Sequence, residues 1–331
     1  MDNKISIIIP AYNIATLLGR AIDSVLAQTY RNIEIIVVND GSSDKTGAVI
    51  NRYVSVDTRV KAIHKENGGV SSARLAGIAA ATGDWIGFVD GDDFIEPQMY
   101  EHLLENALKY GADISHCGYQ MVFPSGRVDY YYNTGRTEHL SRDEGLKALL
   151  KGDYLEPGLW NKLYRREILI GFEDSSLWDS SIRINEDVLM NYILFSRAEC
   201  TFYEDIPYYH YMLRKGSAAT SQQPCRFKTT DPLRVIELIS EDTKGVPSVY
   251  PYAAERHLRV LIGVAQQQNW PEDAAAAKNK LKQLLREFRQ VAISKKIYAM
   301  AVCIAYLQPV YRLVRWVYNR LSGVDKKYSL E

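Results

Sequence analysis

Three carboxylates stand within four positions of this chain, at Asp90, Asp92 and Asp93, and Gly91 separates the first two. They follow an apolar run, residues 85–89, whose aromatic and branched side chains are typical of a buried strand. Ligands of open α/β sheets bind just outside the carboxyl ends of the strands. Carboxylates crowded there repel one another unless a cation lies between them, so we predict a divalent metal that holds a ligand phosphate. A solvated acidic turn is the alternative.

The preceding residues predict the elements that position these carboxylates. Short apolar runs at residues 5–9, 33–38 and 60–64 alternate with segments of helical periodicity, which indicates a parallel sheet with right-handed crossovers. Polar residues follow the first, second and fourth strands: Tyr12 and Asn13, then residues 40–44, then residues 90–93. All of them should therefore lie at one edge of the sheet and build one crevice.

Composition and missing motifs exclude several classes of protein. A formal net charge of zero over 331 residues gives no bulk attraction for nucleic acid. The four cysteines are isolated, which argues against a zinc site or a disulfide framework and fits a reducing compartment. The first residues form no basic and apolar leader, so we expect no signal peptide. The first strand is followed by residues 10–13, Pro-Ala-Tyr-Asn, and neither a dinucleotide-binding Gly-x-Gly-x-x-Gly nor a P-loop is present.

Four motifs in order resemble the nucleotide-sugar half of family 2 glycosyltransferases, which are inverting enzymes of GT-A fold. The resemblance covers the first hundred residues closely and extends loosely to about residue 220. It implies an α/β fold with a mostly parallel central sheet flanked by helices, and transfer from a UDP-sugar to a glycan or lipid-linked acceptor. The motifs are residues 7–13 (IIIPAYN), 24–30 (SVLAQTY), 37–44 (VVNDGSSD) and 89–93 (VDGDD).

The resemblance also implies roles for residues of the donor half. Tyr12 would lie against the uracil base, Asp40 would accept a hydrogen bond from the uracil imide, and Arg74 would reach the nucleotide or diphosphate. Asp90 to Asp92 match the Asp-x-Asp motif, in which one carboxylate touches the ribose and another holds Mn²⁺ or Mg²⁺; we favour Asp92 for the metal. Leu75 departs from the asparagine usual in the family. The donor-binding set expected in this half is Pro10, Ala11, Tyr12, Asn13, Asp40, Arg74, Asp90, Gly91 and Asp92.

Glu186 and Asp187 open a later apolar helix and look like the family's catalytic pair. Removing the proton of an acceptor hydroxyl requires one positioned carboxylate, which we assign to Asp187 with Glu186 as its neighbour. Stabilisation of the helix N-terminus is the alternative role. The resemblance places Trp160 and Lys162 below the site, either facing donor or acceptor or as part of a structural strand.

A third segment resembles the family's closing loop, in which Arg214, Lys215 and Ser217 suit a diphosphate through charge and hydrogen bonds. His210 is a further candidate for the metal shell, beside Asp90, Asp92 and Asp93, although a lone histidine is more often a packing residue.

We divide the chain into four regions: residues 1–100 bind the nucleotide-sugar, 101–225 carry the acceptor and catalytic half, 226–292 are helical, and 293–331 form a basic and aromatic tail. The longest uncharged stretch of the tail is too short to span a bilayer comfortably. Its basic and aromatic residues suit a helix lying in a membrane interface. Packing on the chain's own domain or between two copies is the alternative. We therefore expect a cytoplasmic protein at the inner face of the cell membrane.

Two other functions use similar elements. A sugar nucleotidyltransferase would need a glycine-rich basic loop after the first strand, where residues 10–13 stand instead. A non-catalytic nucleotide-sugar-binding module would have no need of both the Asp90-Gly91-Asp92 motif and the Glu186-Asp187 pair.

Overall fold

The structure is a computed structural model, and it describes residues 3–131, 133–214 and 224–307. Its first part alternates strands and helices. The elements are β1 (Ile5–Ala11), α1 (Leu18–Leu26), β2 (Ile33–Asp40), α2 (Thr46–Val56), β3 (Val60–Lys65), α3 (Gly69–Ala80) and β4 (Trp85–Phe88). The four strands are parallel and lie in the sheet in the order β3-β2-β1-β4. The neighbours β1 and β4 are thus the first and the last of the four strands along the chain.

The second part adds mixed strands to the same sheet. Its elements are β5 (Phe94–Ile95), α4 (Met99–Tyr110), β6 (Ile114–Val122), β7 (Val128–Tyr131), β8 (Thr137–Ser141), α5 (Arg142–Lys151), β9 (Lys162–Arg165), α6 (Arg166–Leu169), α7 (Glu186–Arg197) and β10 (Cys200–Met212). β9 lies antiparallel between β4 and β6, and β10 runs parallel to β6. The sheet is therefore parallel across β3, β2, β1 and β4 and mixed beyond them.

Alternate side chains of the central strand enter two cores on opposite faces of the sheet. Ile8 of β1 packs in the core that contains residues of α3 and α7, whereas Ile7 and Ile9 pack in the core that contains residues of α1 and α4. Close packing of α3 depends on Gly77, because a Cβ there would lie 2.4 Å from Cγ2 of Ile8. The two layers of helices leave the carboxyl ends of β1, β2 and β4 open at one edge.

Helices make up the rest of the described chain. They are α8 (Phe227–Asp242), α9 (Tyr250–Val264), α10 (Pro271–Glu287) and α11 (Lys295–Tyr306). α9, α10 and α11 share a third apolar core, and α8 packs on both α7 and α9. In the described ranges, no helix combines the length and the apolar character needed to span a bilayer.

The α/β architecture and the helical C-terminal part predicted from the sequence are confirmed. Most of the predicted basic and aromatic tail, residues 308–331, lies outside the described residues, as do Lys215 and Ser217. The four-region division stays a prediction.

Candidate active site

A cleft of about 850 Å³ lies at the carboxyl edge of the parallel strands. One wall comes from the ends of β1, β2 and β4, the loops after them and α3. The other comes from Pro157, Trp160, residues 183–188, Tyr211 and α8. Most of the site residues predicted from the sequence line this cleft, although they come from distant parts of the chain. They are Pro10, Ala11, Tyr12, Asp40, Arg74, Asp90, Gly91, Asp92, Trp160, Glu186 and Asp187.

The first wall carries an aromatic ring and a buried carboxylate. Tyr12 is 52% exposed at the cleft, so one ring face is open to a planar ligand. Asp40 is buried and accepts hydrogen bonds from Nζ of Lys65 at 2.7 Å and from the backbone N–H groups of Gly68 and Gly69 at 3.0 and 2.8 Å. These bonds fix the Asp40 carboxylate between the ends of β2 and α3.

Asn13 does not line the cleft but holds its first two loops together. Its backbone adopts φ 50°, in the left-handed region that asparagine tolerates. The side-chain carbonyl accepts a hydrogen bond from the N–H of Ser43 at 2.9 Å, and the Asn13 N–H donates to the hydroxyl of Ser42 at 3.0 Å. Asn13 therefore positions Tyr12 relative to the loop after β2.

Each of the clustered carboxylates after β4 has a different environment. Oδ1 of Asp90 lies 3.4 Å from Nη2 of Arg74, and Oδ2 of Asp92 lies 2.7 Å from Nε of Arg214. Asp93 is buried away from the cleft lining, where it accepts hydrogen bonds from the Tyr209 hydroxyl and the Met212 N–H, both at 2.7 Å. Burial raises the pKa of Asp93 well above its usual range, and the neighbouring carboxylates add to the effect.

Gly91 is required for this turn to fit beneath the loop after β1. A Cβ at position 91 would lie 2.4 Å from Cδ1 of Ile14 and 3.0 Å from the carbonyl oxygen of Pro10. Any side chain there would push the two cleft carboxylates away from the first loop.

A buried arginine connects this turn to the catalytic pair predicted from the sequence. Nη1 of Arg74 lies 2.9 Å from Oε1 of Glu186, and its Nε is buried without a hydrogen-bond partner in the described part of the chain. Burial raises the pKa of Asp187 to about 7; the charge of Glu186 adds to the rise and Arg74 opposes it. A cleft carboxylate with such a pKa is suited to accept a proton near neutral pH.

The two residues predicted to lie below the site differ in their accessibility. Trp160 lines the cleft and stacks on Tyr209, with ring centroids 4.3 Å apart. Lys162 is fully buried, and its ammonium donates to the carbonyls of Glu156 and Gly158 at 2.6 Å and to Oδ1 of Asn161 at 2.8 Å. Lys162 therefore holds the loop that carries the cleft residue Pro157.

His210, predicted as a metal ligand, contacts residues other than the cleft carboxylates. Its Nε2 lies 2.6 Å from a carboxylate oxygen of Glu96, its ring stacks on Phe94 at 4.0 Å, and Gln120 contacts its Nδ1. Burial lowers its pKa. His210 does not line the cleft, so the structure does not bring it together with Asp90 and Asp92.

The two cleft carboxylates fit a hard divalent cation. Within residues 3–131, 133–214 and 224–307, no group of three His, Cys, Asp or Glu side chains is arranged to hold a metal ion. Mg²⁺ and similar ions are commonly bound by one or two carboxylates together with substrate phosphates, so a third protein ligand is not required. Burial raises the pKa of Asp90 and the charge of Asp92 adds to the rise, a repulsion that a cation would relieve.

Two basic cleft residues were not predicted from the sequence. Arg183 precedes α7, and Lys228 lies in the first turn of α8. Neither stands in a recognisable motif, and only the packing of α8 against the segment before α7 brings them to the same wall.

The amino-acid sequence is similar to those of known glycosyltransferases. Residues 6–171 match the family described as Glycosyl transferase family 2. The uncharacterized glycosyltransferase EpsJ of Bacillus subtilis (strain 168) is 39% identical over 198 residues, which are 59% of this chain. The chain spans 57% of the length of that relative.

Solved structures also resemble this one. TarS 1–349 of S. aureus, in complex with UDP-GlcNAc, has a TM-score of 0.68 and 18% identity over 91% of this chain and 88% of that chain. The mannosyltransferase PcManGT of Pyrobaculum calidifontis, in complex with GDP-Man and Mn²⁺, has a TM-score of 0.50 and 18% identity over 92% of this chain and 86% of that chain. At these identities the matches concern the fold, and they confirm the predicted GT-A fold.

Proposed function

This chain belongs to glycosyl transferase family 2, and we propose that it transfers a sugar from a UDP-sugar to a hydroxyl of a glycan or lipid-linked acceptor with inversion at the anomeric carbon. The family match confirms the membership predicted from the sequence. Donor, acceptor and stereochemistry are the parts that we propose.

One observation carries the proposal: Asp187, whose pKa burial raises to about 7, lines the same cleft as Asp90 and Asp92. A base of that pKa is charged in a large fraction of molecules at neutral pH and gains a strong driving force for accepting a proton. The arrangement therefore brings a base for the acceptor and carboxylates for the donor into one space.

The donor would lie against the first wall. Tyr12 offers a stacking surface for the uracil base, with Pro10 and Ala11 beside it, and Asp40 accepts from the imide N–H. Arg214, next to Asp92, carries charge for the diphosphate, and the guanidinium of Arg74, a cleft residue, lies beside Asp90. Ser217, the last member of the predicted donor set, lies outside the described residues. The UDP-GlcNAc bound to TarS supports this choice of donor class.

Asp92 and Asp90 would hold Mn²⁺ or Mg²⁺, which when bound neutralises the charge that develops on the departing diphosphate. The Mn²⁺ in the PcManGT complex supports a metal of this kind.

The reaction is a single displacement. Asp187 takes the proton of the acceptor hydroxyl while that oxygen attacks the anomeric carbon from the face opposite the diphosphate. The bond from the anomeric carbon to the β-phosphate oxygen breaks, and UDP leaves with the bonding electrons. An α-linked donor thus gives a β-linked product. Arg74 holds Glu186 beside the base and limits how far the pKa of Asp187 rises.

A panel of UDP-sugars, read out as metal-dependent release of UDP, tests the proposal. We expect one or a few donors to release UDP only with Mn²⁺ or Mg²⁺ present, and the Asp187→Asn variant to bind UDP with little transfer. Release of pyrophosphate from UTP and a sugar 1-phosphate would instead indicate a nucleotidyltransferase. Donor binding without any turnover would indicate a binding module.

We further propose that the protein works at the cytoplasmic face of the cell membrane, held there by its basic and aromatic C-terminal tail. The described part of that tail contains α11, one face of which packs on α9 and α10, whereas Tyr306 and the following Leu307 are 55% and 51% exposed. Basic residues beside aromatic anchors suit an anionic interface. Sedimentation with anionic vesicles, with and without residues 308–331, tests the attachment. Ultracentrifugation without vesicles tests the alternative, a homo-oligomer.

A further inference from the structure

Two basic side chains stand on the second wall of the cleft, away from the carboxylates of the first wall. Arg183 is four positions before Asp187, and Lys228 is at the start of α8. Arg214, the basic residue that we assign to the donor, instead pairs with Asp92 of the first wall. The second wall of the cleft therefore carries basic side chains of its own, separate from Arg214.

Arg183 is held in place through its backbone, which leaves its charge exposed. The backbone N–H groups of Arg183 and Ile184 donate to Oδ2 of Asp231 at 2.8 and 3.2 Å, and Asp231 is buried in α8. The Arg183 guanidinium lies over the ring of Phe227, 4.1 Å from its centroid. Within the described ranges, no carboxylate forms a salt bridge with Arg183. Its backbone is therefore fixed, and its side chain lines the cleft.

Lys228 follows Phe227 directly and lines the same wall. A cation in the first turn of a helix opposes the helix dipole and lowers helix stability slightly. Together with Arg183, Lys228 gives the second wall of the cleft two basic side chains.

We propose that Arg183 and Lys228 bind an anionic group of the acceptor, a phosphate ester or a carboxylate, next to the hydroxyl that Asp187 deprotonates. This inference rests on the proposed function, since it assumes that Asp187 marks the acceptor side. A planar guanidinium and a neighbouring ammonium are well suited to an oxyanion. The diphosphate of the donor lies instead with Asp92 and Arg214. Binding of the acceptor's anionic group at the second wall would place the acceptor beside Asp187 and away from the donor diphosphate.

Binding of matched probes to the full chain tests the subsite, with Mn²⁺ and saturating UDP present so that the donor side is filled. The probes are glucose 1-phosphate, glucuronate and the neutral methyl glucoside, titrated by ligand-detected NMR. We expect at least one anionic probe to bind on the order of tenfold more tightly than the neutral probe, the effect of one charge-assisted contact. The first two probes distinguish phosphate from carboxylate.

The variants locate the effect. Arg183→Gln combined with Lys228→Gln should reduce the ratio of affinities to about one, and Arg183→Lys should keep most of it. Lys244→Gln, which removes an exposed lysine paired with Glu241, is the control and should keep the wild-type ratio. Equal affinities in the wild type, or an unchanged ratio in the double variant, would overturn the subsite. A wild type that binds no UDP would refute the proposed function itself, and UDP affinity of each variant shows whether it is folded.

Discussion

Nη1 of Arg74 lies 2.9 Å from Oε1 of Glu186, so that α3 and the first residue of α7 are joined by an ion pair across 112 positions of the chain. The same guanidinium lies 3.4 Å from Asp90. One buried cation thus neutralises both the end of β4 and the catalytic pair. The charge state of the base is therefore coupled to the donor wall through Arg74.

Replacing Arg74 should shift the pH dependence of the reaction. Arg74 opposes the rise in the pKa of Asp187, so Arg74→Met should raise that pKa further. The acidic limb of the kcat/KM profile should then move to higher pH, with a lower rate at pH 7. Arg31→Met, which removes an exposed arginine, is the matched control. An acidic limb that stays in place would show that Arg74 has no influence on the base.

The pH profile of kcat/KM for the wild-type protein should show the pKa of Asp187. Because burial raises the pKa of Asp187 to about 7, kcat/KM should fall about tenfold for each pH unit below that value, as the carboxylate is protonated. Asp187→Asn should lower kcat by about a thousandfold and abolish this limb. A wild-type acidic limb near pH 4 would contradict the raised pKa.

The same substitution should stabilise the fold. The pKa of Asp187 is higher in the folded state than in the unfolded state, so the contribution of this carboxyl to wild-type stability is fully present below the unfolded pKa and is lost as the pH rises to about 7. Asp187→Asn avoids this loss. Its advantage should grow from about pH 4 to pH 7 and then stay constant, at about 4 kcal/mol, as measured by urea unfolding. An advantage that decreases with pH would refute the sign.

Replacing Asp92 should weaken the binding of the metal on which the activity depends. EDTA should abolish UDP release and Mn²⁺ should restore it. Asp92→Asn should raise the Mn²⁺ concentration for half-maximal activity about tenfold or more, since even partners beyond the direct ligands cost that much. Asp129→Asn, an exposed carboxylate outside the cleft lining, is the control. An unchanged Mn²⁺ requirement in Asp92→Asn would place the ion elsewhere.

The sequence predicted the parts of the site that depend on local pattern. Buried strands show as apolar runs, and parallel strands carry their following loops to one edge, which was enough to bring Tyr12, Asp40 and Asp90 together. The pairing of Arg74 with Glu186 could not be predicted in this way, because it depends on how α3 and α7 pack beneath the sheet. The resemblance assigned Arg74 to the nucleotide or diphosphate, and that role stays a prediction.

The sequence also did not show which individual polar side chains are buried. Asp93 and His210 carry the right atoms for a metal, but each is engaged by neighbours on β10 or beside β5. Arg183 and Lys228 stand in no motif and reach the same wall of the cleft through the packing of α8 against the segment before α7, which includes the contact between Arg183 and Phe227. Spacing identifies which residues share a loop, whereas tertiary packing decides which of them face the ligand.

Lys162 provides a test that separates support of the cleft from contact with a substrate. Burial lowers its pKa to about 8, so its ammonium is mostly charged at pH 7, and its three donors match three buried acceptors. Lys162→Met should leave those acceptors unpaired and lower the free energy of unfolding by about 3 kcal/mol.

Lys151→Met, which removes an exposed lysine paired with Asp153, should change stability by less than about 0.5 kcal/mol. Urea unfolding measures both variants, and steady-state kinetics below the transition measure the KM for donor and acceptor. A Lys162→Met protein of wild-type stability with a raised KM for the acceptor would show that the ammonium contacts the substrate. The buried position of the side chain makes the opposite result the expected one, because no acceptor can reach Nζ unless the loop at residues 156–158 first opens.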